Sequence, residues 1–336
     1  MSIAAATPLV QPRRTRLLRL SAYLAGAVVG TLAIALATGT VYETLASASA
    51  RPDVPHAGRL VDVGGHRMHI DCRGAGRPTV VLDAGLGGAS LDWSLVQPAV
   101  QTSTRVCVYD RAGMGWSEPV SGPRMPSQLA TELHALLAAA AESGPYVLVG
   151  HSLAGKNVRL FASAFPAEVV GMVLVDARSE IIDQQMSAED TAGFNAALKG
   201  QALTFSLARH VGLARLGGAS LIGEPLVPAA TAREMVLLQT NAAAIDETYC
   251  EGTARSADDD VLAGQTLGDL PLVVIAAEKN MIGLEGWAGA QEALAHLSTH
   301  GSLVVAKDSG HYVQLYKPDL VASAIKQVVA AARARP

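Results

Sequence analysis

No basic block interrupts this chain beyond its extreme N-terminus, and the formal net charge is −4. That argues against nucleic acid as a partner, because clustered Lys and Arg are needed to meet phosphates. Cysteine is sparse: Cys72, Cys107 and Cys250 form no C-x-x-C pair. The spacing implies neither a metal framework nor a disulfide scaffold, and it predicts mostly buried thiols. Charged residues are only 17% of the total against 50% hydrophobic. With that balance, 336 residues suffice for one large core plus additions. There is no internal repeat, and no low-complexity tract beyond Ala-rich stretches.

What stands out first is a long apolar run. Leu20 to Tyr42 is 23 residues without a charge. As a helix it would span roughly 35 Å, enough to cross a bilayer. Arg13, Arg14, Arg16 and Arg19 precede it, and the flank after it is poorly charged. The positive-inside rule places residues 1–19 in the cytoplasm and the remainder outside, as a single-pass inner- or plasma-membrane protein. A cleaved signal peptide is the rival, since Ala46-Ser-Ala48 and Ser47-Ala-Ser-Ala50 supply small residues for cleavage. The run exceeds the usual apolar region of about 7–15 residues in such peptides, which favours an uncleaved anchor. A buried core helix is disfavoured because the run has no polar face. Residues 43–57, with Pro52 and Pro55, read as a linker.

Beyond the linker, Gly58–Val63 and His66–Cys72 alternate around Gly64-Gly65 and predict a hairpin. Short apolar strands are expected at Thr79–Asp83, Arg105–Tyr109, Tyr146–Val149 and Val169–Val175, with helical patterns over 126–142 and Leu153–Phe165 between them. Strands of this kind alternating with helices indicate a mostly parallel sheet covered on both faces. The alternation stops over 177–269, which carries no convincing strand and reads as helices. It resumes with Leu272–Ala276, a helix over 286–297, the strand Ser302–Ala306 and a helix over 318–334.

The most informative stretch is Val147-Leu-Val-Gly-His-Ser-Leu-Ala-Gly155. A buried strand breaks at Gly150 and a helix begins after Ser152. A serine on so sharp a turn has its hydroxyl pushed clear of the backbone, and small neighbours are needed to avoid clashes. The pattern departs from G-x-S-x-G only in Ala154, with Gly155 next.

Together with Asp83-Ala-Gly-Leu-Gly-Gly88, Tyr109-Asp-Arg-Ala-Gly-Met-Gly-Trp-Ser117 and Ser309-Gly-His311, this motif makes residues 58–334 resemble the α/β-hydrolase superfamily, in particular membrane-anchored bacterial esterase-like members. The resemblance implies a core of 58–176 and 270–336 with a helical cap, 177–269, inserted before the last two strands. It implies Ser152 as nucleophile and His311, after the last strand, as base. Backbone N–H groups of Leu86 and Leu153 would form the oxyanion hole, although the family's His-Gly loop is Ala84-Gly85 here. His151 is expected to pack beside the elbow. Asp110, Arg111 and Trp116 are expected to brace a loop, and Asp92 and Trp93 to shape the pocket.

The acid departs from the family pattern. After Leu272–Ala276 the chain has Ala277-Glu-Lys-Asn280, and neutral Asn280 cannot stabilise an imidazolium. Some members carry the acid after the preceding strand, which favours Asp176 here over Glu278, Glu285 and Asp308. A serine nucleophile also sets the chain apart from the dehalogenases and epoxide hydrolases of this fold, which use aspartate. The expected activity is cleavage of a small-molecule carboxylic ester through an acyl-enzyme, with no metal or organic cofactor. Thioesterase, amidase and C–C hydrolase chemistry share the triad and stay open, as does a non-catalytic binding protein on the same fold.

Overall fold

The computed structural model describes residues 13–49, 57–213 and 226–335. Residues 1–12 of the basic N-terminus, 50–56 of the expected linker and 214–225 of the expected cap lie outside the described residues. The strands are β1 (Arg59–Asp62), β2 (Arg67–Arg73), β3 (Thr79–Asp83), β4 (Val106–Tyr109), β5 (Tyr146–His151), β6 (Val169–Val175), β7 (Leu272–Ala277) and β8 (Gly301–Ala306). The longer helices are α1 (Arg13–Ser49), α2 (Pro126–Ala139), α3 (Ala154–Ala164), α4 (Ala188–His210), α5 (Ala229–Gln239), α6 (Ala242–Ala254), α7 (Trp287–Ala295) and α8 (Pro318–Arg333).

The strands form one eight-stranded sheet in the order β1-β2-β4-β3-β5-β6-β7-β8. The pairs β1–β2 and β2–β4 are antiparallel and all others parallel. Side chains alternate across the sheet, as the strand period of two requires. Val81, Leu148, Leu174 and Val274 pack with Leu133, Leu136 and Leu137 of α2 and Phe161 of α3. Val80, Leu82, Val149, Val175 and Ile275 pack on the other side with Trp93, Val96 and the Val321, Ile325 and Val328 stripe of α8. Both faces are thus covered, and the C-terminal ends of the parallel strands are left to build a site.

Two sequence expectations need correction. Cys72 and Cys107 are joined in a disulfide, and Cys250 is the free thiol. The two half-cystines face each other in register across β2 and β4. That adjacency belongs to the fold and is invisible in a separation of 35 residues. Secondly, α1 runs on to Ser49, so positions 43–49 are helical rather than linker; no Gly or Pro interrupts them. Short helices at Glu278–Gly283 and Val313–Tyr316 also escaped sequence reading, being too brief to show a period.

Within α1, Leu18–Leu45 is long and apolar enough to cross a membrane. This helix lies against the end of α4. A Cβ on Gly39 would collide with the Val211 carbonyl oxygen, and one on Gly212 would sit 3.1 Å from the Tyr42 ring. The helices α4–α6 lie between β6 and β7 in the chain, and buried ion pairs fasten this insert to the core. Lys156 on α3 bonds Asp183 and Asp259. Arg159 on the same helix meets Glu180 at 2.6 Å. Arg124 pairs with Glu247.

Candidate active site

Ser152 sits where β5 turns into α3, with φ +54°. An L residue is strained there, and the surroundings hold it. Its N–H donates to Val175 O at 3.1 Å, and its C=O accepts from Arg178 N at 2.9 Å. Small residues are required on both flanks. A Cβ on Gly150 would lie 2.6 Å from Ala154 O, and one on Gly155 2.5 Å from the Ala177 Cβ. Ala154 itself fits, buried without exposure, so the glycine need falls one position later than in the usual motif.

The structure brings Ser152, His311 and Asp176 together. His311 Nε2 is 2.9 Å from Ser152 Oγ, and its Nδ1 is 2.6 Å from Asp176 Oδ2. Asp176 follows β6 in the left-handed region, φ +42°, and is fully buried. Its Oδ1 accepts from Ala277 N at 2.9 Å and from Trp287 Nε1 at 2.8 Å. Asn280, at the family's usual acid position, donates to Asp176 Oδ2 at 2.5 Å and lies 3.1 Å from His311 Nδ1. Glu278 instead accepts from the Asp308 backbone at 2.8 Å, and Glu285 and Asp308 are exposed. Trp287 was missed by sequence reading; the only signal was a tryptophan at the start of a helix after β7.

His151 does more than pack. Its buried Nε2 lies 3.0 Å from His311 O, which can only accept, so Nε2 carries the proton. Burial and the neighbouring His311 hold its pKa well below the ordinary value, so the ring is neutral. The other nitrogen, Nδ1, is buried with no hydrogen-bond partner among the described residues and faces Gly85, where a Cβ would come within 2.8 Å. Gly85 is therefore needed for the loop after β3 to approach the elbow. Neither Leu86 N–H on that loop nor Leu153 N–H after the elbow donates to a protein acceptor among the described residues. Asp110 braces a turn as expected: it accepts from Ser90 N at 2.7 Å and Trp116 N at 3.1 Å, and pairs with His69 Nδ1 at 2.8 Å.

A cavity of about 360 Å³ lies beside this group, bounded by Leu86 and by Tyr312, the neighbour of His311. Phe205, Val227, Met235 and Ile245 give it an apolar wall from the cap. Asp92 also lines it, with Oδ1 accepting from Gln239 Nε2 at 3.1 Å and Oδ2 without a hydrogen-bond partner among the described residues. Burial pushes the Asp92 carboxyl up to about 7.

A family model described as "alpha/beta hydrolase fold" matches residues 78–318, well over half of the chain. A stretch of 129 residues, 36% of the chain, is 34% identical to the "Probable transporter efuK" of Hormonema carpetanum and spans 18% of that protein. The chain thus spans less than a fifth of the length of the first curated relatives it matches. Over 270 residues it is 25% identical to protein YqjL of Bacillus subtilis, covering 80% of this chain and 88% of that one. Among solved structures, epoxide hydrolase CorEH superposes with a TM-score of 0.66 at 19% identity, covering 82% and 99% of the two chains. An esterase from Thermogutta terrifontis superposes with a TM-score of 0.60 at 18% identity, covering 82% and 98%.

Proposed function

The chain belongs to the α/β-hydrolase superfamily, and we propose that within it this protein is a serine acyl hydrolase of carboxylic esters. The observation that carries the reading is the chain of contacts Ser152 Oγ–His311 Nε2 at 2.9 Å and His311 Nδ1–Asp176 Oδ2 at 2.6 Å, next to a cavity bounded by Leu86 and Tyr312. In this reading Ser152 Oγ attacks the ester carbonyl while His311 Nε2 takes its proton. The oxyanion is held by the N–H groups of Leu86 and Leu153, donors worth roughly 3–4 kcal/mol each in such sites. The tetrahedral adduct collapses, the C–O bond to the alcohol breaks, and the imidazolium gives its proton to the leaving oxygen. Water, deprotonated by His311, then attacks the acyl-enzyme and frees the acid and Ser152. Asp176 holds the imidazole in the tautomer that leaves Nε2 free to accept.

Catalysis by an aspartate nucleophile, as expected of epoxide hydrolases, is disfavoured because the elbow residue is Ser152. For localisation, the reading is a single-pass membrane anchor with the hydrolase domain outside the cytoplasm. The arginine cluster before the apolar helix supports it. So does the disulfide, which persists in oxidising compartments. The test of function is turnover of p-nitrophenyl esters of graded acyl length by the purified full chain. Activity should vanish in Ser152→Ala; turnover that survives this change, or none at any acyl length, removes the proposal.

A further inference from the structure

Arg111 was expected only to brace a loop, but its contacts are aimed. The side chain is buried, and each of its five N–H groups has its own acceptor. Nε donates to Glu251 Oε1 at 2.6 Å, and Nη2 donates to Glu251 Oε2 at 2.9 Å. The second Nη2 hydrogen goes to Gly85 O at 2.8 Å. Nη1 donates to Asp83 Oδ1 at 2.8 Å and to Ala84 O at 2.6 Å. Burial opposes the charge, but the Glu251 and Asp83 carboxylates more than offset it and keep the pKa well above the ordinary arginine value.

The carbonyl of Gly85 and the N–H of Leu86 are opposite ends of one rigid peptide plane. A cation fixed on that oxygen therefore sets the direction in which the N–H points. It also draws electron density from the amide, which makes the N–H a stronger donor. Gly88 N–H closes on the same oxygen at 3.0 Å. Glu251, which grips the other edge of the guanidinium, belongs to α6 in the cap. The same helix touches the loop twice more. A Cβ on Gly87 would meet Thr248 Oγ1 at 3.2 Å, and one on Gly252 would meet Leu86 Cδ2 at 3.3 Å.

We propose that Arg111 is a positioning residue that aims and polarises the Leu86 N–H, and that Glu251 makes this donor depend on the cap being seated. The kinetic part rests on the acyl-hydrolase reading above; the structural part does not.

The test uses the full chain with Glu251→Gln and, as the stronger change, Arg111→Lys. Two readouts are taken. The first is kcat and KM on a p-nitrophenyl ester and on the matching thionoester, whose sulfur is a poor hydrogen-bond acceptor and gains little from an oxyanion hole. The second is amide hydrogen exchange over residues 84–88, with β5 amides as the control that the core is folded. Glu251→Gln should lower kcat on the ester about tenfold, and Arg111→Lys about 100-fold, with KM nearly unchanged. The ester-to-thionoester preference should narrow by similar factors. Exchange at Gly88, whose N–H is held on the Gly85 oxygen that Arg111 grips, should rise in both variants. Equal losses on the two substrates, a change in KM alone, or unchanged exchange at Gly88 in a folded Glu251→Gln protein would overturn the proposal. If the unmodified chain shows no Ser152-dependent turnover while Gly88 exchange still rises in the variants, the acyl-hydrolase reading fails and the Arg111 brace stands. Should Arg111→Lys fail to fold, Glu251→Gln alone decides.

Discussion

Changing Asp176 to Asn tests the site most sharply, because every neighbour of this carboxylate is a donor. Oδ1 accepts from Ala277 N at 2.9 Å and Trp287 Nε1 at 2.8 Å, while Oδ2 accepts from His311 Nδ1 at 2.6 Å and from Asn280. An asparagine has one acceptor oxygen, and it must choose a side. The backbone N–H and the buried indole cannot turn away, so the oxygen is expected to face them. The new NH₂ then faces His311 Nδ1, which must become an acceptor. The ring proton moves to Nε2, the atom that has to receive the Ser152 proton. The variant thus keeps its shape and loses both the correct tautomer and the charge opposite the imidazolium. In a serine protease the same exchange costs about 10⁴ in kcat, roughly 5.4 kcal/mol of transition-state stabilisation. A similar fall is expected here in steady-state hydrolysis of p-nitrophenyl butyrate, with a thermal melt close to that of the unmodified chain. Asn280→Ala removes one hydrogen bond to a carboxylate that keeps its charge, so a loss of about tenfold is expected. Asp176→Asn within tenfold of full activity, or Asn280→Ala falling as far as Asp176→Asn, would refute the assignment of Asp176 as the acid.

Replacing Cys72 and Cys107 by serine should lower unfolding stability by about 4 kcal/mol, the chain-entropy value for a closed loop of this length (separation 35); denaturant titration reads it, and an unchanged midpoint contradicts it. Asp92 should make stability depend on pH. Its folded pKa of about 7 exceeds the ordinary 3.8, so the native state holds a proton that the unfolded chain has released. The stability this contributes is complete below about pH 4 and is lost as pH rises towards 7, roughly 4 kcal/mol in all. Asp92→Asn should abolish that slope in denaturation curves taken at pH 4, 5.5 and 7, and parallel slopes in the two proteins would count against it. Protease added to spheroplasts should digest the domain after α1 while a cytoplasmic marker survives; protection until the membrane is lysed would reverse the topology.

Much of the sheet could be read from sequence because its parallel strands are buried on both faces. Val80 to Leu82, Val147 to Val149 and Leu272 to Ala277 are unbroken apolar runs, each with a proline one or two residues before it (Pro78, Pro145, Pro271) and Asp83, Gly150 or Glu278 directly after. Ser152 comes two residues after Gly150 at the end of β5, and His311 follows Gly310 in the loop after β8, so motif and order suffice to nominate them. The acid was harder. Asp176 and Asn280 lie 104 residues apart, and only the β6–β7 pairing puts both at one imidazole. The Cys72–Cys107 disulfide depends likewise on the β2–β4 pairing, a relation between strands that are not consecutive in the chain. The partners of Arg111 could not be read at all. Glu251 is 140 residues away on a helix whose pattern announces only its amphipathic length.

Among the described residues, the buried ion pairs between core and cap all run one way. Lys156, Arg159, Arg111 and Arg124 belong to the core, and their partners Asp183, Asp259, Glu180, Glu251 and Glu247 all belong to the insert. The cap is therefore keyed to this core by sign as well as by shape. Caps are the part of such a fold that would be exchanged to alter what the pocket accepts. A transplanted cap lacking these carboxylates would strand Lys156 and Arg159 as buried cations, at several kcal/mol for each one left unpaired, while Arg111 and Arg124 would fall back on Asp83 and Glu132 in the core. Retuning this protein's pocket is thus open through cavity-facing side chains such as Phe205, Val227 and Met235, and closed to wholesale replacement unless the acidic positions travel with the graft.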